Sequence, residues 1–115
     1  MQRDKAFLHD VIASMHMVVG YTQGKSFADF SRDQACIDAV IRRLEIIGEA
    51  AKRVSPQLRE IHPEIPWHKM AGMRDRLIHG YDDVDLGAVF NAATEVIPKL
   101  IPQLESILSQ IPNPS

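Results

Sequence analysis

Cysteine is nearly absent. Cys36 is the only one in 115 residues, so no disulfide can close within the chain, and a reducing compartment such as the cytoplasm is the expected setting. No apolar run approaches the roughly 20 residues that a membrane span requires, so no membrane association is expected. Met1–Asp10 mixes charged with apolar side chains and lacks the continuous apolar stretch of a secretory signal. Nothing alternates apolar and polar residues with period two, so no strand is expected. Internal repeats and low-complexity tracts are missing too. So are HExxH, CxxC, a Walker-type phosphate loop and a Gly-Ser nucleotidyltransferase motif. His9 and His16 stand seven apart, and His62 and His68 are scattered; without ligand spacing among them, no metal site and no cofactor are expected. A large positive charge is lacking as well: the net charge is −2, which argues against a general nucleic-acid coat protein.

What is present reads as one globular domain over residues 1–115, with 45% apolar and 24% charged residues. The charge is uneven. Between Arg42 and His79 there are eight Lys/Arg against five Asp/Glu, a net of +3, while the remainder carries −5. A basic middle suits a small phosphate site, and a solvated helix face looks the same. Leu8, Val11, Ile12, Met15, Val18, Val19 and Thr22 recur at helical spacing and predict a first helix that stops near Gly20–Gly24. Ser26 and Asp29 have the spacing of a capping box, which predicts a short turn of helix there. Ile37, Val40, Ile41, Leu44, Ile47, Gly48, Ala51 and Val54 form the stripe of a second helix, ended or redirected at Ser55-Pro56.

Pro66 is suited to the start of a third helix, expected from about Trp67 to about His79, with Gly80 as its C′ residue. Asp85 is the best N-cap for a fourth helix. The stripe of that helix runs from Leu86 to Leu108 across Pro98, where the lost hydrogen bond to the Thr94 carbonyl predicts a kink or break. The tail from Pro112 is expected to fray. Four main helices with short connectors predict an all-α, antiparallel four-helix bundle with short extra helical turns.

Residues 74–81 read Arg-Asp-Arg-Leu-Ile-His-Gly-Tyr. Trp67, Met70, Arg74, Leu77, Ile78 and Tyr81 would share one helical stripe, which puts Arg74 where an apolar side chain is expected. A buried guanidinium without a partner is very costly, so Arg74 must face a partner, a cleft or an interface. Asp75 and His79 are four apart, a spacing that lets the carboxylate orient the ring. The helix C-terminus favours imidazolium, whereas Arg74 and Arg76 oppose it; a histidine balanced in this way suits general acid–base chemistry. Two readings stay open on these residues alone. In one they form a phosphate-handling site. In the other, Arg74 is salt-bridged to a neighbouring helix and His79 merely caps a helix end. Glu49 and Lys52 border the cleft or form an exposed face. Gly48 is expected to allow close helix–helix approach, Cys36 to pack, and Trp67, Met70 and Met73 to lie in the core or a dimer interface.

Arg74, four intervening residues, His79, one residue and Tyr81 resemble the Arg-x4-His-x-Tyr motif of HepT-like HEPN ribonuclease toxins. Leu44-Glu45-Ile46-Ile47-Gly48-Glu49-Ala50-Ala51-Lys52, Pro63-Glu64-Ile65-Pro66-Trp67 and Ala71-Gly72-Met73-Arg74 are similar to segments of the same family. The resemblance runs from about Lys5 to Leu108. It implies a HEPN-like bundle and a metal-independent endoribonuclease acting on RNA, with His79 as acid/base residue and Arg74 as phosphate clamp. Asp75 supports the site at a position where many relatives have Asn. The resemblance also implies a homodimer with both motif helices on one cleft, expected here to pair through the third and fourth helices around exposed Met and Trp. A further implication is an MNT-type minimal nucleotidyltransferase antitoxin as partner, able to transfer AMP to Tyr81. A reading of a different class is a non-catalytic helical module that uses the motif for nucleotide or partner contact.

Overall fold

The apolar stripes of the sequence become packed helices in a computed structural model that describes residues 3–79 and 83–112. The architecture is the all-α bundle expected, built from helical arms joined by short connectors. Helix α1 (Asp4–Thr22) lays Leu8, Val11, Ile12, Met15 and Val18 inward. It gives way to a turn in which Gly24 adopts φ +75°, a left-handed conformation that glycine takes without a Cβ clash. The capping box then forms as the spacing predicts, with Asp replacing the usual Glu. Ser26 Oγ accepts from Asp29 N–H at 3.1 Å and Asp29 Oδ2 accepts from Ser26 N–H at 3.3 Å, opening α2 (Phe27–Ser31).

Helix α3 (Gln34–Arg53) is the longest element among the described residues. Asp33 caps its start by accepting from Cys36 N–H at 3.1 Å, and Arg59 Nη2 closes its end by donating to the Ala51 and Lys52 carbonyls. Cys36 is buried, with its thiol on the Tyr21 carbonyl. Ser55 caps α4 (Pro56–Ile61) and also holds Asp4, a buried carboxylate at 2% exposure. Asp4 accepts from Ser55 N–H at 2.7 Å and from Ser55 Oγ–H at 2.6 Å. A buried carboxylate is tolerable only when so satisfied, and the pair ties the start of α1 to the α3–α4 corner.

The third helix departs from expectation. It forms as two short pieces, α5 (Trp67–Ala71) and α6 (Met73–Leu77), separated at Gly72. Gly72 is the poorest helix former of the segment after proline. Helix α6 stops at Leu77, not His79, because Ile78 takes φ −125° and ψ 101° and pairs with Val84 in an isolated antiparallel bridge. The extended turn lets Ile78 bury its side chain, at 7% exposure, while His79 N–H donates to the Asp83 carbonyl at 2.8 Å and Asp85 N–H to that of Leu77 at 3.0 Å. Gly80 as a helix C′ residue and Tyr81 on the same stripe lie outside the described residues.

Asp85 caps α7 (Leu86–Asn91) as expected, accepting from Ala88 N–H at 3.0 Å. A π-helical turn, Ala92–Val96, then leads into α8 (Ile97–Gln110). Instead of breaking at Pro98, the chain widens by one residue just before it. Ile97 N–H donates to the Ala92 carbonyl, the i→i+5 bond by which helices absorb an irregularity. Pro102 also sits inside α8. Of the tail expected to fray from Pro112, only Pro112 is described, exposed beyond the end of α8; the rest lies outside the described residues. Helix α1 packs on α3 and α8, and α3 packs on α5 and α6. Phe30, Leu8, Met15, Leu44, Ile47, Met70, Ile97 and Leu104 are fully buried between these elements, each stabilising the fold by roughly 1.5–3 kcal/mol. No helix among the described residues is long and apolar enough to cross a membrane.

Candidate functional site

One side of α3 faces the core, and the other forms a wall. Arg42, Glu45, Ile46, Glu49, Lys52 and Arg53 line an open groove of about 550 Å³, closed across from them by Phe7 and Asp10 of α1 and by Ala71, Arg74 and Asp75 of α5–α6. Gly48 sets how close the walls come. A Cβ at that position would lie 3.2 Å from the Ala71 carbonyl oxygen and 3.6 Å from that of Met70, so a bare backbone is what lets α3 meet α5, as the sequence led us to expect. Glu49 and Lys52 do border this cleft.

The groove is charge-balanced. Arg42, Lys52, Arg53 and Arg74 face Asp10, Glu45, Glu49 and Asp75, and the positive excess of the middle segment is largely compensated where the walls meet. Arg42 Nη1 stands 3.6 Å from Glu45 Oε2 and Lys52 Nζ 3.8 Å from Glu49 Oε1. Arg74 has two acidic neighbours: its Nε is 3.6 Å from Glu45 Oε1 and its Nη1 is 3.5 Å from Asp75 Oδ1. All these side chains keep a third or more of their surface in water, so each pair contributes at most about 1 kcal/mol to stability. Their value is availability. Such charges exchange one partner for another at little cost.

Arg74 is not on the buried stripe. Inward positions recur at Trp67, Met70 and Met73, a spacing of three that carries the line past Arg74 and leaves its side chain 46% exposed. Of the alternatives the sequence left open, the guanidinium meets two at once, a carboxylate on a neighbouring helix and an open cleft, and so does not separate the two readings. His79 is exposed beyond the end of α6 and is not among the groove-lining residues. Because Ile78 is extended, Asp75 and His79 are no longer one helical turn apart. Asp75 pairs with Arg74 instead, and the His79 ring has no hydrogen bond among the described residues. Tyr81 lies outside the described residues.

Trp67, Met70 and Met73 are core residues, at 6%, 0% and 6% exposure, and the Trp67 indole N–H donates to the His62 carbonyl at 2.9 Å. This corrects the expectation of exposed Met and Trp around the motif. The large exposed apolar side chains among the described residues are Met17, Tyr21, Phe27, Ile61 and Val96. Glu45, Asp10 and Arg42 escaped attention as site residues. The available signal was the polar face of α3, where Arg42, Glu45, Glu49 and Lys52 recur at three- and four-residue spacing.

Residues 11–107 match the model of a family described as Ribonuclease HepT-like. Among similar proteins, "Probable ribonuclease HepT" of Thermococcus cleftensis is 41% identical over 103 residues, covering 90% of this chain and 94% of that one. A "Putative RNase" of Methanocaldococcus jannaschii is 39% identical over 107 residues, covering 93% and 92%. Another "Putative RNase", from Caldanaerobacter subterraneus, is 36% identical over 110 residues, covering 96% and 98%. No solved structure gives a significant match.

Proposed function

The chain belongs to the HepT-like ribonuclease family, and from that premise we propose that it cleaves RNA as the toxin of a toxin–antitoxin pair. The observation that carries this reading is Arg74, a half-exposed guanidinium held at an open groove by side chains that readily exchange partners. In the proposed reaction, His79 takes the proton of an RNA 2′-hydroxyl. The freed oxygen attacks the adjacent phosphorus, and the 5′-oxygen of the next nucleotide leaves with a proton returned by the imidazolium. Arg74 stabilises the charge that grows on the phosphoryl oxygens. No metal enters this scheme. The active unit is a homodimer whose two motif segments share one cleft, a feature in keeping with a groove in which one chain does not itself place His79.

Control is proposed to come from an MNT-type nucleotidyltransferase antitoxin that transfers AMP from ATP to Tyr81: the hydroxyl oxygen attacks the α-phosphorus, loses its proton, and pyrophosphate leaves. The added phosphodiester would pair with Arg74 and occupy the place of the substrate phosphate. RNA digestion by the purified, unmodified protein with and without EDTA tests the activity: cleavage in both is expected, and cleavage lost with EDTA overturns metal independence. Tyr81→Phe is expected to stay toxic and escape its partner, with no AMP in the intact mass. Neutralisation of that variant as full as for wild type would sink the modification. A second reading is favoured by one observation, the absence of His79 from the groove lining. On it, the groove binds a nucleotide or partner without catalysis. Absence of cleavage by the dimeric, unmodified protein would select it.

A further inference from the structure

The proposed reaction gives no role to Glu45, yet Glu45 lines the groove beside Arg74. Each of its carboxylate oxygens faces a different arginine: Oε2 stands 3.6 Å from Arg42 Nη1 and Oε1 stands 3.6 Å from Arg74 Nε. The other carboxylate on Arg74 belongs to Asp75, at 3.5 Å from Nη1. The two carboxylates differ in what they can hold. Glu45 has a side chain 35% exposed, on the longest described helix, and that helix is seated against α5 at Gly48. Asp75 is 73% exposed and rides on the same five-residue helix as Arg74. A neighbour on its own short helix cannot fix the guanidinium relative to the opposite wall; a carboxylate on α3 can.

We propose that Glu45 is a positioning residue: it holds the Nε edge of Arg74 toward α3 and leaves the remaining N–H donors for a phosphate, whereas Asp75 is the carboxylate which that phosphate displaces. The inference deepens the ribonuclease reading and rests on it. Arginine side chains sample many rotamers in water, and ordering one before substrate arrives removes that cost from the transition state. The charge of Glu45 is already compensated by Arg42, so its repulsion of an incoming phosphate is reduced. Among the described residues, that of Asp75 is paired only with Arg74 itself, and the phosphate competes with it directly.

The two carboxylates should therefore respond in opposite senses when a short RNA is cleaved by the full-length chain. Glu45→Ala is expected to lower kcat by about three- to fivefold, the most that so exposed a contact can supply, with KM changed less than about twofold. Glu45→Gln keeps an acceptor oxygen and should restore part of the rate. Asp75→Asn should lower KM by about three- to tenfold, as expected when a competing charge is removed. On the residual rate of Arg74→Ala, Glu45→Ala should have no further effect. Alanine is the best helix former, so circular dichroism should show α3 intact. An arm independent of activity reads the Arg74 Nε–H resonance, assigned by its loss in Arg74→Lys; it should shift or broaden in Glu45→Ala. An unchanged Nε–H resonance overturns the proposal, as does a Glu45→Ala effect that persists in the Arg74→Ala background. A wild-type protein that cuts no RNA removes the ribonuclease reading alone, and the resonance then decides whether Glu45 positions Arg74.

Discussion

Helix α3 and the Trp67–Ile78 segment face each other across the groove and are built on opposite plans. Helix α3 is a continuous α-helix with Ile37, Val40, Leu44, Ile47 and Ala51 buried along one side and both ends capped. The opposite segment is two five-residue helices, a glycine joint and an extended Ile78. A long helix fixes where its outward side chains stand, because every turn is locked to the next and to the core. Short, interrupted helices let an inward line drift. The drift at Gly72 keeps Met73 in the core and delivers Arg74 to water, where a guanidinium avoids the desolvation cost that a stripe position would impose. One wall is a continuous capped helix, and the other is an interrupted segment that presents Arg74 and Asp75.

The largest test strikes the motif side alone. His79→Ala should cut RNA cleavage by about 10²–10⁴-fold and leave thermal unfolding near wild type, since His79 is exposed outside any helix. A folded His79→Ala protein cutting at the wild-type rate would break both the assignment and the contrast.

Next, one substitution made on each wall should give unequal losses. Leu44 is fully buried in α3, and Leu44→Ala should cost about 2–5 kcal/mol in denaturant unfolding. Leu77 is only half-buried at the end of α6, and Leu77→Ala should cost below about 2 kcal/mol. Equal losses would mean that the motif segment is as tightly built as α3.

The two glycines form a finer pair. Gly48→Ala forces a methyl group to 3.2 Å from the backbone oxygen of Ala71, and overpacking of this kind costs roughly 1–3 kcal/mol. Gly72→Ala meets only the end of the Arg76 side chain at 3.4 Å and the His68 carbonyl at 3.5 Å. Its higher helix propensity should give a change within about 1 kcal/mol, in the stabilising direction. Melting of both variants checks the sign.

The smallest effect is in acid and lies at the caps that start α2 and α3. The backbone N–H of Ser26 lowers the carboxyl of Asp29 below its ordinary 3.8, as the Lys25 ammonium at 2.6 Å lowers that of Asp33. A depressed folded value means stability that is present above about pH 4 and lost as pH falls through the depressed value. Lys25 is raised above its ordinary 10.5 by the same Asp33 contact, so its share is present below 10.5 and is lost as pH rises through the raised value. Asp29 is exposed, and Lys25 and Asp33 are half-buried with their charged ends near solvent, so the effect should be modest. Asp33→Asn should flatten the acid limb of the melting-temperature profile; an unchanged limb would show that this cap does not contribute.

Local rules determined more of this protein than its site. The α1 and α3 stripes, the Ser26–Asp29 box and the Asp85 cap depend on side chains within a turn or two of each other, so spacing alone reveals them. The close approach at Gly48 was legible because a missing side chain needs an explanation, whereas the stripe position read for Arg74 was not borne out: its side chain is 46% exposed. Tertiary structure decided the rest. Whether Gly72 divides a helix depends on what Met73 and Ile78 bury against, and the bridge from Ile78 to Val84 joins residues that no helical period relates. The separation of Asp75 from His79 follows from that bridge. Glu45 could not be singled out among the charged residues of α3, because its partnership with Arg74 spans 29 positions and exists only once α6 has packed beside α3.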